Sequence, residues 1–231
     1  MRIDISFRAQ QINAYALRIL EVNPEIDHPE QIRYPRTKFR FSRRVNADID
    51  TLLASIRKQA SKGLHIGAGS KRISGLINCD FYNPEADLKA DASNLTMFDD
   101  GSIDLIESHH MIEHLSFNDT ELVLTEWNRV LCDRGLIVLT FPDISAIALE
   151  WIKYSLIYPI FPRPEKLDYI VKMLVGSQEH EGMFHKNAYD IRRMSRILSK
   201  YGFSVEFTYY RYPRRATPSR LVIARKINSL S

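Results

Sequence analysis

Lys62-Gly63-Leu64-His65-Ile66-Gly67-Ala68-Gly69-Ser70 opens a stretch that closes, after a short polar turn, with Gly75-Leu76-Ile77-Asn78-Cys79-Asp80. Leu64 to Ile66 is a brief apolar run delivered into Gly67-Ala68-Gly69. That order predicts a strand followed by a turn in which bare backbone approaches a ligand, because glycine tolerates positive φ. The second run ends on Asp80. An acid closing the second strand of a doubly wound sheet is placed to accept hydrogen bonds from ribose hydroxyls. A dinucleotide pattern would need a third glycine where Arg72 stands, and about 20 residues before the acid. Neither is present, so the glycine turn alone decides little.

Downstream, apolar runs and helical stripes alternate, which predicts an α/β doubly wound, mostly parallel sheet. Strands are expected near 64–66, 76–80, 86–90, 103–108 and 136–141. Residues 111–115 read as the start of a helix, and Asn118-Asp119 caps it or a second one, with Leu122, Leu124, Trp127, Val130 and Leu131 as the apolar stripe and Gly135 as the end. Asn187 to Tyr201 is a further amphipathic helix closed by Gly202, and Val205–Tyr212 with Leu221–Lys226 read as an antiparallel pair.

Two regions stand outside this rhythm. Residues 1–60 form an N-terminal helical extension, with helices expected at Gln10–Val22 and Ile49–Gln59 around the basic-aromatic run 38–44, ahead of a main domain at 61–231. Within that domain, 144–185 is an insertion: a helix at Ile147–Tyr158, prolines at 159, 162 and 164, a second helix to Val175, then a polar stretch rich in His and Glu. Insertions after the fifth strand lie on the ligand-binding edge of such a sheet, so this one is a candidate substrate lid.

With 45% hydrophobic and 26% charged residues the composition is that of an ordinary globular chain. No apolar run approaches the ~18 residues of a membrane span, and the N-terminus lacks the order of a signal peptide. Cys79 and Cys132 each sit in an apolar segment and are expected as buried free thiols, which favours the cytoplasm. Net charge is +4 for residues 1–60, −9 for 61–185 and +9 for 186–231. An acidic middle suits a cationic ligand, although solvated faces that neutralise one another explain the same pattern.

The order of these segments, with Ala90-Asp91-Ala92, His110-Met111-Ile112-Glu113-His114-Leu115, Trp127 to Leu131, Arg134 to Leu139 and Phe184-His185-Lys186, resembles the class I S-adenosylmethionine-dependent methyltransferases. More narrowly, it is similar to the small bacterial members associated with surface-polysaccharide and natural-product pathways. The likeness covers residues 63–231 and implies a Rossmann-like methyltransferase fold with an antiparallel last strand. It implies S-adenosyl-L-methionine as cofactor, Gly67, Ala68 and Gly69 along its methionyl and ribose part, Asp80 at the ribose hydroxyls, and Asp91 with Ala92 at the adenine. His109 would line the methyl side. The implied acceptor is a hydroxyl of a small molecule or sugar. The short Ser70–Gly75 connection departs from the family pattern, where a helix usually follows the glycine turn. As alternatives, Asp80 caps a turn, and Asp91 caps Ser93-Asn94.

His110 is the candidate general base, because an imidazole titrates near neutrality, and His185 is a second catalytic candidate beside the lid. No metal is expected. His110-x-x-Glu113-His114 also has the spacing of an inverted zinc-peptidase motif, with Glu179 or Glu181 as third ligand, which keeps a zinc hydrolase as the rival. His114 alternatively serves the core. A nucleic-acid methyltransferase or binder would use Arg192, Arg193, Arg196, Lys200, Arg211, Arg214, Arg215 and Arg220, but no Asn-Pro-Pro-Tyr-type motif follows the fourth strand. Expected partners are the small acceptor and a second copy of the chain through the N-terminal extension.

Overall fold

A computed structural model describes residues 43–158, 163–210 and 218–227. The expected Gln10–Val22 helix, the run 38–44 except its last two positions, Pro159, Pro162, Arg211, Arg214 and Arg215 lie outside the described residues, as do residues 1–42 of the extension through which a second copy was expected to bind.

The elements run α1 (Arg43–Gln59), β1 (Gly63–Ile66), β2 (Ile77–Asp80), β3 (Leu88–Lys89), β4 (Ile103–His109), α2 (Phe117–Val130) and β5 (Leu131–Pro142), then α3 (Ile144–Ile157), α4 (Pro164–Val175), α5 (Ile191–Lys200), β6 (Phe203–Tyr210) and β7 (Ser219–Lys226). They form a seven-stranded sheet ordered β3-β2-β1-β4-β5-β7-β6. β7 runs antiparallel to both neighbours, and the other paired strands are parallel. This is the Rossmann-like methyltransferase architecture. Strand order reverses between β1 and β4, where crossovers leave on opposite faces and open a crevice at the strand ends.

Each face has its own core. Val123, Leu124, Trp127 and Val130 of α2, with Met194 and Leu198 of α5, cover Leu64, Ile66, Ile106, Ile137 and Leu139. On the other face Ile49, Leu52, Leu53 and Ile56 of α1 cover Leu105, Leu136, Val138, Leu221 and Ile223. The four α1 side chains, spaced i, i+3, i+4 and i+7, are 0–2% exposed. Burial of this kind stabilises by about 1.5–3 kcal/mol per side chain. Residues 49–59, grouped with the extension on sequence, therefore pack against the sheet.

Asn78 explains how the chain manages without a helix after the glycine turn. Its Oδ1 accepts from Ile73 N at 2.8 Å, and its Nδ2 donates to Leu76 O, Ile73 O and Asp87 Oδ2, stapling 70–76 to β2. The Asn78 bonds, with those of Arg72, hold the Asp87 carboxyl down at about 2.

Several local expectations are corrected. Residues 111–115 do not start a helix: Ile112–His114 is a single 3-10 turn. The cap of α2 is Ser116, whose hydroxyl accepts from Asp119 N while Asp119 reaches back to Ser116 N. Leu122 is exposed and Val123 takes its place in the buried stripe. Gly135 does not end the helix. α2 stops at Val130 and β5 follows at once through an irregular segment in which Arg134 has φ 62°. A Cβ at Gly135 would stand 3.0 Å from Cys132 O, so glycine is needed for that close approach. α5 begins at Ile191, capped by Asp190, because the preceding residues bond elsewhere: Asn187 N donates to Glu113 O and Tyr189 O accepts from Ile144 N. Cys79 is buried and Cys132 half-buried, both free. No helix among the described residues is long and apolar enough to cross a membrane.

Candidate active site

β1 ends in a turn where Gly67 and Gly69 have φ 72° and 52°. Asp80, at the tip of β2, braces it. Oδ2 accepts from Gly69 N at 2.7 Å, while Oδ1 accepts from Tyr82 N and Asn83 N, each at 2.8 Å. A carboxylate offers about four acceptor positions, so one remains for a ligand hydroxyl. A Cβ on Gly69 would meet nothing within 4 Å, leaving open space above the turn, whereas one on Gly67 would stand 2.5 Å from Met111 Cγ. The segment after β4 thus rests directly on the glycine turn.

Asp91 follows β3 and is exposed. Its Oδ1 accepts from Ser93 N and Ser93 Oγ, the capping arrangement, with half-buried Ala92 alongside. His109 closes β4 with both ring nitrogens engaged, Nδ1 with Thr140 Oγ1 at 3.1 Å and Nε2 with Glu107 Oε1 at 3.0 Å. Glu107 is buried and clasped by Arg57 of α1 through bonds of 2.6 and 2.7 Å. Burial pushes that carboxyl up, but the bonds from Arg57 and His109 outweigh it and leave it at about 2. His65 meets the His109 ring edge-on at 5.7 Å, and burial lowers its pKa.

His110 leaves the strand with φ 52°, a conformation costly for a non-glycine residue and characteristic of functional sites. Its Nδ1 lies 3.0 Å from Glu113 Oε1 and its Nε2 lies 3.1 Å from Ser219 Oγ at the start of β7. Glu113 is 2% exposed, and its Oε2 has no partner among the described residues. His114 points Nδ1 at Phe184 O, and His185 points Nδ1 at Met173 O, each at 3.1 Å. The two rings meet edge-to-face at 4.9 Å. Burial also lowers the His185 pKa.

The zinc-peptidase geometry is absent. Its two histidines need a helix to share a face, and here His114 ends a single 3-10 turn that His110, with φ 52°, lies outside. Glu179 instead lies 3.7 Å from Lys172 on the surface. Of the basic residues assigned to nucleic acid, Arg193 stacks on Tyr189 and Phe117, Lys200 pairs with Glu121 and Arg220 pairs with Asp143. Arg192 and Arg196 are exposed. A cavity of about 290 Å³ between α2 and α5, lined by Phe117, Thr120 and Arg193 among others, contains none of the residues expected to hold the cofactor or to act in catalysis.

Sequence reasoning missed Ser219, which reaches His110 across a separation of 109 residues and has no local signature. It also missed the Arg57–Glu107 pair, although an acid within Ile103-Asp104-Leu105-Ile106-Glu107 was a visible signal.

A family model described as a methyltransferase domain matches residues 64–139. No curated protein matches the chain. Among solved structures, an S-adenosylmethionine-dependent methyltransferase from Methanosarcina mazei is 18% identical with a TM-score of 0.51, over 72% of this chain and 92% of that one. A second, from Archaeoglobus fulgidus, is 17% identical with a TM-score of 0.51, over 81% and 96%. The 1,6-didemethyltoxoflavin-N1-methyltransferase of Burkholderia thailandensis, solved with S-adenosylhomocysteine, is 12% identical with a TM-score of 0.52, over 80% and 78%. These likenesses show a shared fold. The domain match spans the glycine turn, Asp80, Asp91 and β4.

Proposed function

We propose that the chain is an S-adenosylmethionine-dependent methyltransferase that methylates a hydroxyl of a small molecule or sugar, with His110 as general base. S-adenosylmethionine supplies a methyl group already activated on a sulfonium. The residues around the glycine turn fit it: open space above Gly69, an acceptor position left on Asp80, and Met111 tying the post-β4 segment to Gly67. In this reading Gly67, Ala68 and Gly69 pass the methionyl and ribose part, Asp80 takes the ribose hydroxyls, Asp91 and Ala92 the adenine, and His109 lines the pocket from its bonded position.

The observation that carries the reading is the His110–Glu113 pair at the end of β4. With Glu113 ionised, Nδ1 of His110 holds a proton and donates it to Oε1, leaving the Nε2 lone pair to accept from Ser219 Oγ. An acceptor hydroxyl arriving there would take the place of Ser219 and give its proton to Nε2. The acceptor oxygen forms its bond to the methyl carbon as the carbon–sulfur bond breaks, and the sulfur keeps the electron pair as a neutral thioether. Glu113 then faces an imidazolium and stabilises it. In this reading His185 acts from the acceptor side, on or beside the insertion proposed as a lid. The narrower reading, a surface-polysaccharide or natural-product enzyme, rests on the likeness of the ordered stretches across residues 63–231.

The test is transfer of labelled methyl from S-adenosylmethionine to a panel of sugars, phenols and amines by wild type and His110→Ala. Hydroxyl acceptors labelled only by wild type support the reading. Labelling confined to amines refutes it.

A further inference from the structure

The carboxylate of Glu113 holds one oxygen against His110, and its other oxygen is buried without a partner among the described residues. An unsatisfied buried polar atom costs about 1–3 kcal/mol, and more when charged. Two imidazoles converge on the same spot: Glu113, His114 and His185 each bring a ligand atom to within 4.8 Å of the other two. The tautomers follow from the bonding. A backbone carbonyl only accepts, so Nδ1 of His114 must donate to Phe184 O and Nδ1 of His185 to Met173 O. On each neutral ring that leaves the Nε2 lone pair. Metal-ligating histidines are held in this way, the second nitrogen fixed by a carbonyl or carboxylate.

The backbone builds the site from segments far apart in sequence. Glu113 O accepts from Lys186 N at 2.9 Å and Asn187 N at 3.0 Å, tying the residues after His185 to the 3-10 turn. His185 N donates to Val175 O at 3.1 Å, which anchors the same segment to the end of α4. The third oxygen-side partner, His110, fixes Glu113 from the other direction.

We propose that Glu113, His114 and His185 bind a divalent first-row cation such as Mn²⁺ or Zn²⁺. Two imidazole nitrogens and one carboxylate oxygen suit such ions, with bonds of about 2.0–2.2 Å, and three protein ligands leave positions open. Ligand atoms about 2.1 Å from one ion lie about 3.4 Å apart in a tetrahedral site, so atoms that now lie within 4.8 Å of one another draw closer as the ion binds. The ion supplies the charge that the unpartnered Oε2 lacks. In the open positions it takes the acceptor oxygen, lowers that hydroxyl's pKa and turns it toward His110, a role that rests on the methyltransferase reading, whereas ion binding itself does not. The ligand set differs from the zinc-peptidase motif: His110 lies outside it, bonded to the ligating carboxylate, and His185 replaces Glu179 or Glu181.

The experiment is calorimetry on full-length protein stripped with EDTA, titrated separately with Mn²⁺, Zn²⁺ and Mg²⁺, with S-adenosylhomocysteine binding measured on the same samples. Wild type should take up one equivalent of Mn²⁺ or Zn²⁺. Glu113→Gln, His114→Ala and His185→Ala should each weaken that binding by at least about tenfold. Glu179→Gln should bind as wild type does. Where a variant loses its circular dichroism spectrum, ¹⁵N signals of the wild-type imidazoles decide: Zn²⁺ should move Nε2 of His114 and His185 and leave His180 in place. Wild type that takes up neither Mn²⁺ nor Zn²⁺, folded variants that bind them unchanged, or unmoved His114 and His185 signals overturn the proposal. Metal uptake by a protein that does not bind S-adenosylhomocysteine keeps the site and removes the methyltransferase reading.

Discussion

Nδ1 of His110 stands 3.0 Å from Oε1 of Glu113, so the residue that leaves β4 in a left-handed conformation is oriented by a carboxylate three positions later. The left-handed conformation is of a kind that costs about 1–3 kcal/mol and persists only where surrounding contacts impose it. Here His110 N donates to Thr140 O at 2.9 Å and Nε2 meets Ser219, so β5 and β7 both hold the residue. The same carboxylate thus orients the proposed base and faces the proposed cation.

For His110→Ala, turnover should fall by about 10²–10⁴ while S-adenosylhomocysteine affinity stays near wild type. Steady-state kinetics and calorimetry check this. Turnover unchanged from wild type would remove His110 from the chemistry.

Asp80 carries two duties with separable consequences. S-adenosylhomocysteine should raise the melting temperature of wild type, and Asp80→Ala should abolish the shift. The same variant also strips an acceptor from Gly69, Tyr82 and Asn83, so the unliganded protein should lose stability, with charged hydrogen bonds worth about 1.5–3 kcal/mol each. Asp80→Asn keeps one acceptor oxygen and should spare more of the fold than of the affinity. Calorimetry showing wild-type affinity in Asp80→Asn and Asp80→Ala alike would take the residue out of the site.

Arg57→Ala should destabilise the protein at pH 7 by about 3–5 kcal/mol, the cost of leaving buried Glu107 without its main partner. The native Glu107 carboxyl is held at about 2, below its unfolded value of about 4.3. A depressed carboxyl contributes stability that is complete above the unfolded pKa and is lost as pH falls through the folded one. The gap between wild type and variant should therefore narrow from about pH 4.5 toward pH 2. Urea unfolding across that interval measures it, and a pH-independent gap would mean that packing, not charge, links α1 to β4.

Proteolysis tests the insertion as a lid. Gly176 has φ 82° and a Cβ there would stand 2.0 Å from Met183 O, so the chain turns back sharply between α4 and His185. If 144–185 closes over bound ligands, nicking within it should slow when S-adenosylhomocysteine and an acceptor are both present. Equal cleavage with and without them would make the segment plain surface.

The sequence by itself determined where the strands fall along the chain and the place of the glycine turn. Those depend on local quantities: the apolar runs at 64–66, 76–80, 103–108 and 136–141 have the length of buried strands, Gly67 and Gly69 follow the first and Asp80 closes the second. It placed the buried face of α1 through the spacing of Ile49, Leu52, Leu53 and Ile56, without showing that this face covers the sheet. Tertiary structure alone decided how His110 to His114 are divided. Their spacing suits a helix, and a helix would have paired His110 with His114. Instead the carbonyl of Glu113 bonds to Lys186 N and Asn187 N, and Met111 settles on Gly67, so the segment stays a single 3-10 turn. That turn sends His110 to Ser219 and His114 to His185, partners that no local pattern announces because they arrive from the far end of the chain.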